Sequence, residues 1–352
     1  HQYVDVTKVT DAQLVKLLAS DSAVQRLEAS RRIIDQKKTD LAEAVLALAA
    51  SGQGHLYHRV AAIFTYKQLL GAAANASLAG LAKDAAMREF VLRALADRTS
   101  QLDGVPAQLF VDALKDADPR VRLQALVGLQ RLGAKDVSGA ILEAASSWPS
   151  DESKLGVGEH HRLPHTAVNA LVRLGDAKAC LAAAASPATR ALALRALQGM
   201  HTEEAVAGLA ALSLSGDDAQ RAGAVAALAR LYFTEERWNY KDWWSTRPDD
   251  RGPYFKPTEW AHTAKVHAAL EAAYAKLPAA LRMGALDLMA RNRIPVVSLK
   301  LEGVDPLRLV MASLALRPAD VTLLTEAALQ GSRPWNERVD CYLALLKAEG
   351  DE

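Results

Sequence analysis

Asp118-Pro119-Arg120-Val121-Arg122-Leu123-Gln124-Ala125-Leu126 decides the fold. An aspartate that can accept from the first free N–H groups of a helix is followed by a proline. Proline suits the first helical position, where its missing N–H would be unpaired anyway. Val121, Ala125, Leu129 and Leu132 then recur at helical spacing and define one apolar face, with Arg120, Arg122 and Arg131 expected to point away from it. Just upstream, Ala107-Gln108-Leu109-Phe110-Val111-Asp112-Ala113-Leu114 carries a second apolar periodicity. The unit is therefore helix, tight turn, helix.

The same start recurs. Asp21-Ser22-Ala23-Val24-Gln25-Arg26, Asp84-Ala85-Ala86-Met87-Arg88, Ser186-Pro187-Ala188-Thr189-Arg190 and Asp217-Asp218-Ala219-Gln220-Arg221 each place a capping residue shortly before an arginine. Leu281-Arg282 and Leu307-Arg308 are degraded copies. Arg26, Arg59, Arg88 and Arg122 lie roughly 30 residues apart, about what two short helices and two turns occupy. Neither helix of a pair can bury its apolar face alone, so pairs must stack. The expected fold is all-α: a HEAT-type α-solenoid, a right-handed superhelix of antiparallel helix pairs. Eight to ten pairs are expected over one continuous domain, 11–346, between an N-terminal extension 1–10 and a C-terminal tail 347–352. The arginines are expected to bridge repeats or to lie solvated beside a carboxylate. Val296-Val297-Ser298-Leu299-Lys300-Leu301 is the one short strand candidate, and reads equally as an extended linker.

Composition agrees and narrows the function. Half of the 352 residues are hydrophobic, with alanine and leucine dominant and aromatics at 5%, as closely packed helices require. A formal net charge of +1 gives no basic excess for a nucleic-acid partner. Cys180 and Cys341 both sit in apolar helical contexts and read as buried thiols. No apolar run reaches the roughly 18 residues of a membrane span. The chain starts at His1 without methionine, which suggests processing or excision from something larger. Phosphate-binding glycine loops, nucleophile elbows, His-Glu-x-x-His and Cys-x-x-Cys are all missing from the sequence, so no catalytic residue, metal site or cofactor is expected.

Two stretches interrupt the repeat. In the first, 148–164, Glu159, His160 and His161, with His165 just beyond, suggest metal ligands. Pro164 is expected to open the next helix, which would keep His161 and His165 off a shared helical face. The second, 235–260, holds four of the six tryptophans: Trp238, Trp243, Trp244 and Trp260. Prolines 248, 253 and 257 and Gly252 exclude a regular helix across its second half. Such aromatic density is foreign to disordered linkers. Two readings stand: a structural strap whose rings pack on the helices, or a recognition surface built from Trp243, Trp244, Arg247, Asp249, Arg251, Tyr254 and Trp260.

Trp243-Trp244-Ser245-Thr246-Arg247-Pro248-Asp249-Asp250-Arg251-Gly252-Pro253-Tyr254-Phe255-Lys256, followed by Trp260, resembles a signature in PVC-type haem-binding CxxCH proteins. That signature, Trp-Trp-x-Thr-Arg-Pro-Asp-x-Arg-Gly-Pro-Tyr-Tyr, lies in their HEAT region. The stretch 87–98 and the Asp118-Pro119 repeat are also similar to that region. His165-Thr166-Ala167-Val168 is similar to its Arg-His-Ala-x-Val helix start, with Pro164 in place of the arginine. The family is typically exported, and its HEAT region commonly lies between a dehydrogenase-like propeller and a c-type cytochrome domain. The resemblance implies a middle piece without its own redox chemistry, since no Cys-x-x-Cys-His is present.

Three functions follow as expectations. The first is a non-catalytic scaffold for a protein partner, the resemblance suggesting a dehydrogenase or c-type cytochrome domain in a periplasmic or exported setting. The second is a carbohydrate or small-molecule module using the Trp-rich insert. The third is an enzyme on HEAT-like repeats, of DNA glycosylase or lyase type; the DNA version needs a basic groove that near-zero net charge does not itself supply.

Overall fold

A computed structural model describes residues 4–52, 54–147, 159–241, 252–253, 255–313 and 316–349. The chain forms two compact units, 1–174 and 175–352. Both are built almost wholly from helices.

The first unit contains five helix pairs among its described residues. They are α1 (Asp11–Leu18) with α2 (Ala23–Asp35), α3 (Ala42–Ala50) with α4 (Leu56–Leu70), α5 (Asn75–Leu81) with α6 (Ala85–Leu95), α7 (Ala107–Ala113) with α8 (Pro119–Leu132), and α9 (Ser138–Ala145) with α10 (Glu159–Leu174). The second helices pack in order, α2 on α4, α4 on α6, α6 on α8 and α8 on α10. The second unit holds α11 (Ala177–Ala183) with α12 (Pro187–Leu197), α13 (Glu203–Ser215) with α14 (Asp218–Arg230), and α15 (Thr263–Lys276) with α16 (Ala279–Arg291). A shortened member follows, a 3-10 turn at Val296–Ser298 with α17 (Pro306–Met311), and then α18 (Pro318–Leu329) with α19 (Trp335–Glu349). Here α11, α13 and α15 pack in one row and α12, α14 and α16 in another. The all-α HEAT-type arrangement expected from the repeat is thus present in each unit.

The decisive stretch folds as read. The Asp118 carboxylate accepts from the Arg120 N–H at 2.8 Å, and Pro119 is the first residue of α8. Val121, Ala125 and Leu129 are buried, and Gly133 closes the helix in the left-handed conformation at φ 65°. Close helix approach is built in with glycine. A Cβ on Gly128 would lie 2.1 Å from the Phe110 ring, and one on Gly208 2.1 Å from Leu181. Each glycine is a notch that receives a large side chain from a neighbouring helix. Arg122 departs from the expectation: it is half-buried rather than turned out, because α8 is covered on both sides by α6 and α10.

The recurring arginine is a bracket between repeats. Arg190 donates from Nε to the Ala184 carbonyl at 3.1 Å and from Nη2 to Asp217 Oδ2 at 3.0 Å. Asp217 caps α14. Arg59 does the same with the Ala49 carbonyl at 3.0 Å and with Asp84, the cap of α6, at 2.7 Å. Arg88 joins the Ala82 carbonyl at 2.9 Å to Asp116. One guanidinium therefore covers carbonyls left open at a helix end and holds a carboxylate in the turn that leads into the second helix of the next pair. Arg26 and Arg282 keep the carbonyl half, to Ser20 at 2.7 Å and Leu277 at 3.0 Å.

The first unit also buries a lysine. Lys67 is 1% exposed, with Nζ 2.5 Å from Asn75 Oδ1 and 3.2 Å from the Gln101 carbonyl. Asn75 in turn donates to the Gln101 and Asp103 carbonyls at 3.1 and 2.7 Å. Burial pushes the Lys67 ammonium below its usual range.

Two local expectations are corrected. Pro164 does not open a helix; it lies inside α10, which starts at Glu159. Buried Leu163, Ala167, Ala170 and Leu171 seat the segment against α8, and this packing outweighs the one ladder bond that proline removes. Positions 161 and 165 are thus one turn apart on the same helix. In the strand candidate 296–301, Val296–Ser298 forms a 3-10 turn and 299–301 have no regular structure, so no strand forms there.

Candidate functional site

The insert 235–260 joins α14 to α15, and its root is firmly built. Two short strands, β1 (Thr234–Glu235) and β2 (Pro257–Thr258), pair antiparallel where the chain leaves and returns. The Glu236 N–H extends this pairing to the Lys256 carbonyl at 3.1 Å. Just before the strands, the last carbonyls after α14 meet side-chain donors. The Trp260 indole N–H donates to Leu231 O at 2.7 Å, and the Thr263 hydroxyl donates to Tyr232 O at 2.9 Å. His201 Nε2 lies 3.0 Å from Phe233 O and must carry the proton there. Burial holds His201 below the ordinary imidazole range, in keeping with a neutral ring. Two imidazoles, His201 and His262, stand nearly perpendicular to Trp260 at ring distances of 5.1 and 5.0 Å.

The returning strand docks a second time. Gly252, Pro253 and Phe255 are buried. The Gly252 N–H donates to Arg291 O at 3.2 Å, and the Arg230 guanidinium occupies the space that a Cβ on Gly252 would need. A side chain at position 252 would have to displace that guanidinium.

Against this anchored root, Trp238 and Tyr240 face outward. Their rings lie 4.6 Å apart at 46°, with 39% and 75% of their surfaces exposed. Of the residues expected to build a recognition surface, Trp260 lies at the root, where its indole closes a helix end. Trp243, Trp244, Arg247, Asp249, Arg251 and Tyr254 lie outside the described residues.

Sequence reasoning passed over a polar chain beside the root. The Tyr232 hydroxyl and His267 Nδ1 share a hydrogen bond at 3.0 Å, His267 Nε2 faces Glu271 Oε1 at 3.3 Å, and Glu271 accepts from the Lys300 N–H at 2.7 Å. His267 and Glu271 stand one turn apart on α15, a spacing that could have flagged them. Tyr232 is 4% exposed and burial raises its phenol above the usual range, while the His267 and Glu271 side chains are 28% and 24% exposed and the chain terminates on main chain. In the first unit, His165 Nε2 accepts from Asn169 Nδ2 at 3.1 Å. Among the described residues no group of three or more His, Cys, Asp or Glu is placed to hold a metal, and no helix is long and apolar enough to cross a membrane.

No protein-family model matches the chain, and no curated protein matches it. Among solved structures it is similar to human deoxyhypusine hydroxylase in complex with glycerol, at 17% identity over 90% of this chain and 99% of that one, with a TM-score of 0.28. It is also similar to an archaeal HEAT-like repeats protein from Thermococcus onnurineus NA1, at 14% identity over 97% of both chains, with a TM-score of 0.23.

Proposed function

We propose that this chain is a non-catalytic protein-interaction scaffold whose recognition surface is the insert between α14 and α15. The observation that carries the reading is the Trp238–Tyr240 pair, two large rings 39% and 75% exposed on a segment whose ends are pinned by the β ladder and by Trp260. Exposed aromatics on a rigid root lose little entropy on binding, and tryptophan and tyrosine are enriched where interfaces concentrate their energy. Trp243, Trp244, Arg247, Asp249, Arg251 and Tyr254 extend this surface in the proposal. The partner suggested by the resemblance is a dehydrogenase or c-type cytochrome domain of an exported assembly. A carbohydrate is the second reading, because the same tilted pair offers a ring face to a sugar.

Titration of the intact chain against a purified c-type cytochrome domain, a propeller-type dehydrogenase domain and a polysaccharide panel tests this. Trp238→Ala and Tyr240→Ala should weaken binding of the protein partner while leaving the melting temperature unchanged. Binding confined to polysaccharides selects the second reading. Binding that both variants retain in full removes the insert from the function.

A further inference from the structure

The second unit contains a repeat that lacks half of one helix. In the row of second helices, α12, α14 and α16 have 11, 13 and 13 residues, but α17, the next in order, has 6. The deficit against α16 is about two turns, on the order of 10 Å of helix. A groove of about 240 Å³ lies where α16, α17 and α19 meet. Met283 and Leu286 of α16, Met311 of α17 and Leu343 of α19 give it an apolar lining. Met283 and Leu343 are 46% and 49% exposed, although each lies on a helix whose other face is buried in the core. Leu346, one turn beyond Leu343, continues the open apolar strip along α19.

The walls are charged unevenly. Asp287 from α16 and Asp340 from α19 line the groove, with Arg308 of α17. Neither carboxylate has an ion-pair partner among the described residues. Two carboxylates facing one guanidinium leave the rim acidic. Methionine side chains adapt to irregular partners, and two of them line this groove.

We infer that this groove is a docking site for an amphipathic helix of at least two turns from a partner protein, with an apolar stripe and a basic flank. Such a helix continues the packing of α12, α14 and α16 where α17 is too short to do so, its apolar stripe on Met283, Leu286 and Leu343 and its basic side chains beside Asp287 and Asp340. The site is separate from the insert and does not depend on Trp238 or Tyr240.

The probe is an end-capped peptide of about 14 residues with leucine at i, i+3, i+4 and i+7 and lysine elsewhere, beside a leucine/glutamate counterpart of the same pattern. Calorimetric titration of the full chain should show one site for the lysine peptide and much weaker binding of the glutamate peptide. Met283→Glu or Leu343→Glu should weaken the lysine peptide at least about tenfold. Asp287→Lys combined with Asp340→Lys should reverse the preference; these exposed positions carry the test if either apolar variant fails to fold. Trp238→Ala should leave peptide binding unchanged, which separates this site from the insert. Absence of binding, or equal binding by all variants, overturns the proposal. So does a concentration-dependent dimer that Leu343→Glu dissolves, since a second copy would then fill the groove.

Discussion

Arg190 and Asp217 stand 27 residues apart in the chain and 3.0 Å apart in the fold. The same guanidinium reaches Ala184 O at 3.1 Å, so one side chain satisfies the end of α11 and steadies the cap of α14. The Arg190 side chain is 16% exposed, which limits the screening that weakens most surface ion pairs. Arg190→Ala should therefore cost about 1–2 kcal/mol in urea unfolding, more than an ordinary surface substitution. Arg190→Lys should recover little, because an ammonium lacks the planar fork that serves carbonyl and carboxylate together.

The root of the insert and its outward rings should separate by mutation. Trp260→Ala removes a ring held by Leu231 O, His201 and His262, and should destabilise by about 3 kcal/mol. Trp260→Phe keeps most of the packing and leaves the Leu231 carbonyl without its donor, at about 1 kcal/mol. Trp238→Ala should stay within about 0.5 kcal/mol. Thermal melts of the three variants read this order directly.

Lys67 makes stability depend on alkaline pH. Its folded pKa lies below the ordinary lysine value, so the unfolded chain binds the proton more tightly. Between those two values the unfolded state carries more protons, and stability rises with pH through that window; below the folded value the cost of burying the ammonium is fully present. The neutral amine still has two N–H groups for its two acceptors, Asn75 Oδ1 and Gln101 O. Comparing urea midpoints of the wild type and Lys67→Met from neutral pH to pH 10 should show a positive slope that the variant lacks.

The glycine notch at position 128 should be intolerant. Gly128→Ala places a methyl 2.1 Å from the Phe110 ring and should cost about 1–3 kcal/mol. Phe110→Leu in the same chain should recover part of that loss, and a double-mutant cycle measures the coupling. Ala125→Leu, one turn earlier on the same buried face, should overpack to a similar extent.

Much of the fold was legible at Asp118-Pro119 because cap, proline and apolar spacing are local and agree with one another. The arginines at 26, 59, 88 and 122 were legible as a rhythm. Their partners were not: Arg59 meets Asp84 25 residues away and a main-chain carbonyl that no sequence pattern marks. Lys67 reads like any surface lysine for the same reason, since main-chain oxygens complete its site. Pro164 misled because a breaker is a local signal, whereas the contact of α10 with α8 is not. In the insert, sequence placed Trp260 with its fellow aromatics. What sets it apart is the Leu231 carbonyl, visible only once α14 has ended beside it.

The paired strands at the root fix the separation of the two chain ends at Thr234 and Thr258 whatever lies between them. Once those ends are held, the entropy of closing the loop grows slowly, by about 0.6 kcal/mol for each doubling of its length. The chain-entropy part of a change in length between those ends is therefore small, provided that Gly252, Pro253 and Phe255 keep their seats. The root is a socket: it lets what is displayed on the insert diverge while the helical array beneath stays the same.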